Sequence, residues 1–410
     1  MKKYKSTLLF CYLGYVTQSI VVNLAPLFFV IFRRDLGFSY TYLANLVLIT
    51  FALQIVIDAA AIKFVSVIGF RTSAVLSMIC SFVGLVLLAI FPHFSGFKYT
   101  LLIAVLFYSA GGGLTEVVIS PIVDALPSEA KEASMSLLHS FYSWGQVAVV
   151  LISTAVLHFI GESRWTFLPL LWAVIPFVGF FGFLKVPIIE PEKEEKTSLS
   201  KGLLKSKLFI LTIVMMVCSG AAEQVMSQWA SLFCEQGLGV SKVVGDLFGP
   251  CLFAAFMGVG RTFYGIFGKG INLRRSLTAC SALTVICYVA AVFSKSPVLA
   301  LAGCSLCGLG VSLMWPGMLS LSSSKFPTGG PSMFAILALG GDIGCSIGPF
   351  LTGLVSDLVS SSPRATEVAL SLGIGTDQPG LNAGILAGIV FPIVMFIGTF
   401  AMKGKISGHE

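Results

Sequence analysis

Three acids stand inside long apolar stretches of this chain: Glu116, Glu223 and Asp342. A charge at the centre of a membrane helix costs roughly 2.5–3.5 kcal/mol on insertion scales, so each is a candidate for function. Glu116 closes the run Gly111-Gly112-Gly113-Leu114-Thr115-Glu116, with Ser120 one turn on and Pro121 after it. The glycines allow close backbone approach, and the proline frees a carbonyl that can line a cavity. A carboxyl able to cross a bilayer neutral and then release its proton is what a proton carrier needs. A structural hydrogen bond to a neighbouring helix is the plainer alternative. Glu223 belongs with Gln224, Ser227 and Gln228 on an arc of about 140° at 100° per residue, a polar stripe that must face protein or water. Such a stripe serves a solute path or a helix-packing seam. Asp342 lies in Gly340-Gly341-Asp342-Ile343-Gly344, where the glycines fit tight packing as well as function. Proton coupling is assigned to these three, with Glu116 foremost.

Other residues have the chemistry to hold a polar solute. His139 is followed by Tyr142, Ser143 and Gln146 at +3, +4 and +7, on one helical face. Gln18, Asn23, Gln224 and Gln228 add amides, and Trp229 and Trp315 add faces on which a sugar ring can stack, though tryptophan is also a normal packing and interface residue. Asp58, Lys63 and Arg71, and Arg261 after them, sit toward the ends of spans and read as gating charges. No HExxH, no GxSxG with partners and no P-loop is present, so the chain is expected to be no enzyme and to hydrolyse no ATP. The ten cysteines lie singly in apolar surroundings, apart from Cys304 and Cys307, which have no second pair. They read as small packing residues, with no metal or cofactor implied.

The elements that carry these residues follow from composition. Of 410 residues, 56% are hydrophobic and only 11% charged, against roughly 25% charged in a soluble domain. The apolar residues fall in blocks long enough to cross a bilayer, and without alternation, so they are helices rather than barrel strands. Spans are predicted at 6–32, 38–62, 71–91, 98–125, 132–160 and 165–185, then at 207–234, 242–267, 273–293, 297–323, 331–358 and 380–402. The stretch from Ser6 to Ile31 is too long for a signal peptide and lacks its cleavage site, so it is read as the first span. A charged stretch from Glu190 to Lys207 divides the sets. The expected organisation is a six-helix bundle over 1–186, a connector over 187–206 and a second bundle over 207–410.

With the N-terminus inside, 19 of the 26 lysines and arginines fall on the cytoplasmic side. This bias predicts both termini in the cytoplasm and a multi-pass protein of the plasma membrane. The halves echo each other. Leu36-Gly37-Phe38-Ser39 and Leu238-Gly239-Val240-Ser241 follow the first and seventh spans at an offset of 202. Arg71 and Arg274 open the third and ninth, and a Gly-x7-Pro pattern recurs from Gly113 to Pro121 and from Gly308 to Pro316. Duplicated halves are the usual construction of secondary transporters.

Two six-helix halves, a charged connector and charged turns after the second and eighth spans resemble the major facilitator superfamily. The family's signature after the second span is kept loosely, as Asp58 with Gly69-Phe70-Arg71 further on. Several segments are similar, more narrowly, to the fucose permease group of sugar–proton symporters. These are Glu116 to Pro121, Ser136 to Gly145 with His139 where a glutamine is common, Ala221-Ala222-Glu223 with Trp229, Trp315-Pro316, and Gly348-Pro349 through Ser356-Asp357. Val22 stands where that group has a first-span aspartate, with Asn23 beside it, which places more of the coupling on Glu116. The resemblance implies an all-α membrane protein of twelve transmembrane helices in two pseudo-symmetric bundles. It implies proton-coupled symport of a sugar or similar polyol by alternating access, in a monomer that binds no nucleic acid. Proton-antiport efflux of a drug or metabolite is the nearest rival. A non-transporting receptor or scaffold with the same fold is the rival from another class, and the retained Glu116 and Glu223 argue against it.

Overall fold

The computed structural model describes residues 4–93, 97–126, 131–189, 203–267, 271–294, 296–326, 330–374 and 378–402. Among these residues the regular structure is helical throughout, as a chain must be when lipid supplies no hydrogen-bond partners. Twelve helices are long and apolar enough to cross a membrane. The first six are Lys5–Leu36, Tyr40–Ile57, Phe70–Ile90, Tyr99–Val123, Leu138–Ile160 and Phe167–Lys185. The seventh to twelfth are Lys207–Gly237, Lys242–Tyr264, Leu273–Phe293, Pro297–Ser322, Ile336–Ser361 and Pro379–Ala401. Their number and order are those predicted from hydropathy.

The details depart where backbone chemistry intervenes. The first span runs past residue 32 because a 3-10 turn at Ala25–Phe28, around Pro26, joins two helices end to end. It stops at Gly37, whose φ of 65° closes the helix in the left-handed conformation that glycine adopts without strain. The seventh span ends in a π-turn at Phe233–Gly237, and the eighth carries another at Leu247–Cys251 containing Pro250. A short helix at Pro363–Ser371, capped by the Ser362 hydroxyl at the Ala365 amide, lies between the last two spans, where only a loop was expected. Most of the charged connector, residues 190–202, and both extreme termini lie outside the described residues, as do the side chains of Asp58 and Lys63.

By contact the chain gathers into two compact units. The first comprises Met1–Gly37 and Ile49–Lys193, the second Phe38–Leu48 and Glu194–Glu410. In the first unit glycines bring the third and fourth spans together: a Cβ at Gly84 would meet the Tyr108 backbone, and one at Gly111 the Ser81 backbone and hydroxyl. In the second unit Gly344 and Gly348 of the eleventh span press on Val217 and Ala221 of the seventh, while Gly220 answers against Gly341. Close packing of small residues is how membrane helices associate when apolar burial offers them no gain over lipid. All ten cysteines are free thiols.

Candidate functional site

The first unit gathers its polar residues around the fourth span. Glu116 accepts a hydrogen bond from Gln18 Nε2 of the first span at 3.2 Å. One turn further along, Ser120 Oγ and Tyr15 OH are 2.7 Å apart. The Tyr15 ring meets His139 of the fifth span edge-on, with centroids 5.1 Å apart. Asn23 Nδ2 donates to the Ser19 carbonyl at 3.0 Å and approaches Tyr142 OH at 3.4 Å. Ser143 and Gln146 are buried on the same helix, while His139 is exposed. Gln18 is thus paired with Glu116 across the first and fourth spans, and Asn23 with Tyr142 across the first and fifth, with His139 on the same helix as Tyr142. Tyr15 was not singled out, because a tyrosine in an apolar span reads as packing until its hydroxyl is seen to have a partner.

The second unit has its own cluster. Arg261 Nη2 lies 2.9 Å from Glu223 Oε2, and Arg261 Nε donates to the Ser312 carbonyl at 3.4 Å. A residue read as a gating charge and one read as a proton carrier are therefore a single ion pair between the seventh and eighth spans. Gln228 Nε2 donates to Gln224 Oε1 at 3.0 Å, so the polar stripe is partly satisfied within its own helix. Asp342 is buried, and it follows Gly341, where the Trp315 ring fills the space a Cβ would need.

Two further predicted site residues make contacts of their own. Arg71 Nη1 donates to the carbonyls of Phe183 and Leu184 at 2.8 and 3.0 Å, so it caps the end of the sixth span, the place where a cation meets unpaired carbonyls. Trp229 is 0% exposed, with Tyr40 at 6.1 Å between ring centroids and Gly353 beneath it, which is a packing position.

The structure also adds a charged pair that the sequence reading passed over. Lys242 and Asp246, 7% and 1% exposed, stand 3.0 Å apart one turn from each other in the eighth span. Ser231 of the seventh span hydrogen-bonds to the same carboxylate. The i,i+4 spacing was visible, but a lysine near a span end reads as an interfacial charge.

Twelve apolar spans, in two units that each set acids beside amides and hydroxyls, are the build of a polytopic solute carrier. A family model described as Major Facilitator Superfamily matches residues 9–349, and the chain belongs to that superfamily. No curated protein matches the sequence. Among solved structures, the chain is similar to a bacterial homolog of the human lysosomal transporter Spinster, inward-facing and occupied. There the identity is 15% and the TM-score 0.73, over 98% of this chain and 97% of that one. It is also similar to a mutant of the nucleoside transporter NupG, at 12% identity and TM-score 0.73 over 97% and 99% of the two chains. A variant of the E. coli fucose:proton symporter FucP is similar at 14% identity and TM-score 0.64, over 98% and 100%. At these identities the likeness is one of fold. The protein is thus an integral, multi-pass carrier of the major facilitator fold.

Proposed function

We propose that this protein is a secondary active transporter which carries a small polar solute, a sugar or polyol, together with protons by alternating access. Glu116 is the acid that takes and releases the proton. The observation that carries this reading is the setting of Glu116: a carboxylate in a membrane helix, hydrogen-bonded by the neutral amide of Gln18, with tyrosine, serine and histidine side chains close by. Protonating Glu223 would instead cancel its ion pair with Arg261. Amides and hydroxyls dominate the first unit's polar cluster, and these are the groups that bind and orient hydroxylated solutes. The fold is one that carriers of hydroxylated solutes use, among them FucP, described as a fucose:proton symporter, and the nucleoside transporter NupG. The lysine and arginine bias supports a plasma-membrane carrier with both termini in the cytoplasm.

The test is Glu116→Gln in proteoliposomes, with radiolabelled hexoses as probes. The amide imitates the protonated acid, so exchange between two pools of hexose survives while uphill uptake driven by a pH gradient is lost. A folded Glu116→Gln variant that still accumulates hexose against its gradient overturns the assignment.

A further inference from the structure

Gln54, in the second helix, takes no part in the clusters described above, yet it is only 1% exposed and its Nε2 has no hydrogen-bond partner among the described residues. Gln18, 5% exposed, is in the complementary position: its Nε2 donates to Glu116, and its Oε1 has no partner among the described residues. The two orphan atoms meet over one glycine. A Cβ built on Gly112 would lie 2.8 Å from Gln18 Oε1, 3.0 Å from Val21 Cγ1 and 3.3 Å from Gln54 Nε2. A buried donor and a buried acceptor therefore both lie within 3.3 Å of one point above Gly112 without a hydrogen bond between them, over the one residue type that has no side chain to fill it. Buried polar atoms left in this way are costly unless a further group completes them.

We propose that Gln54 and Gln18, facing each other above Gly112, form a subsite for a hydroxyl group of the transported solute. A hydroxyl is the smallest group that fits both demands, accepting from Gln54 Nε2–H while donating to Gln18 Oε1. The bond from Gln18 Nε2 to Glu116 fixes which end of that amide faces the subsite. It also joins a bound hydroxyl to the acid by one amide. Gln54 then acts as a specificity residue, rejecting a solute that lacks the hydroxyl because its amide would be left unpaired. The inference rests on the solute-transport reading given above, and it adds the group recognised and the residues that recognise it.

The full chain in detergent, tested by thermal shift with D-glucose, D-galactose, L-fucose and myo-inositol, decides it. At least one probe raises the melting temperature of the parent. Gln54→Leu loses that shift, while its probe-free melting temperature does not fall below the parent's, since an unpaired buried donor has been removed. Gly112→Ala, whose methyl would meet the side chains of Gln18 and Val21 and no backbone, loses the shift as well. A Gln54→Leu variant that keeps the shift, or that melts well below the parent without probe, overturns the subsite. If no probe shifts the parent, the sugar reading fails on its own. The subsite is then judged by Gln54→Cys and a cationic methanethiosulfonate reagent. One added adduct by mass keeps it as a site on an aqueous path, and no adduct overturns it.

Discussion

Lys242 and Asp246 illustrate what burial does to a charge. In water an i,i+4 pair of this kind contributes a few tenths of a kcal/mol. Here both side chains are enclosed, at 6% and 1% exposure, with Ser231 completing the carboxylate. Removing one partner strands the other, at a cost of about 3–5 kcal/mol. Lys242→Met and Asp246→Leu are each expected to lower thermal stability by that order, while the double variant regains most of the loss. Thermal unfolding of the four proteins in detergent, taken as a double-mutant cycle, measures the coupling. Additive losses would show that the two charges do not depend on each other. Glu116 was legible from the sequence because an acid in an apolar span is rare and expensive. Gln54 was not, because an uncharged amide gives no such signal and its significance arises only where two other helices bring Gln18 and Gly112 to it.

Helices were legible as elements from hydropathy alone, since lipid leaves the backbone no other arrangement. Their interruptions were not. The 3-10 turn after Asn23 and the two π-turns depend on how carbonyls are re-satisfied, which hydropathy does not encode. The glycines that flank Asp342 look alike in the sequence, yet they differ sharply from one another. A Cβ at Gly340 would meet Ile213 at 3.4 Å, an ordinary contact. At Gly344 it would run into the Val217 carbonyl, with the Ala221 amide nitrogen at 2.9 Å. Gly344→Ala must therefore shift backbone and should cost about 1–3 kcal/mol. Gly340→Ala should be neutral or slightly stabilising, because alanine is the better helix former. Unfolding of the pair side by side checks this, and equal effects would remove the seam as an explanation.

At the scale of the molecule, the twelve spans and the duplicated plan were written in block lengths and in the Leu-Gly-x-Ser echo. The allocation of every residue was not. Phe38–Leu48, ahead of the rest of the second span, groups by contact with the second unit, where Asp357 accepts hydrogen bonds from the Tyr40 and Thr41 amides at 3.1 and 2.6 Å. No hydropathy plot contains a contact between residues so far apart in the chain. Orientation is tested on intact cells with a membrane-impermeant maleimide. A cysteine at Arg364, exposed on the short helix before the twelfth span, is expected to label, and one at Lys196 in the connector is expected to stay silent. The opposite pattern would invert the topology.

The glycine seam between the seventh and eleventh spans has a consequence at the level of the gene. Every single-base change that alters a glycine codon's meaning, stop codons aside, introduces a side chain at least as large as alanine's. At Gly344 and Gly348 even that methyl meets main-chain atoms of the facing helix, at Val217 and Ala221. Every one-step replacement at these positions therefore carries a packing cost, of which Gly344→Ala is the smallest case. Because the opposing atoms are main chain, no substitution on the facing helix removes them, and only a shift of the helix itself makes room.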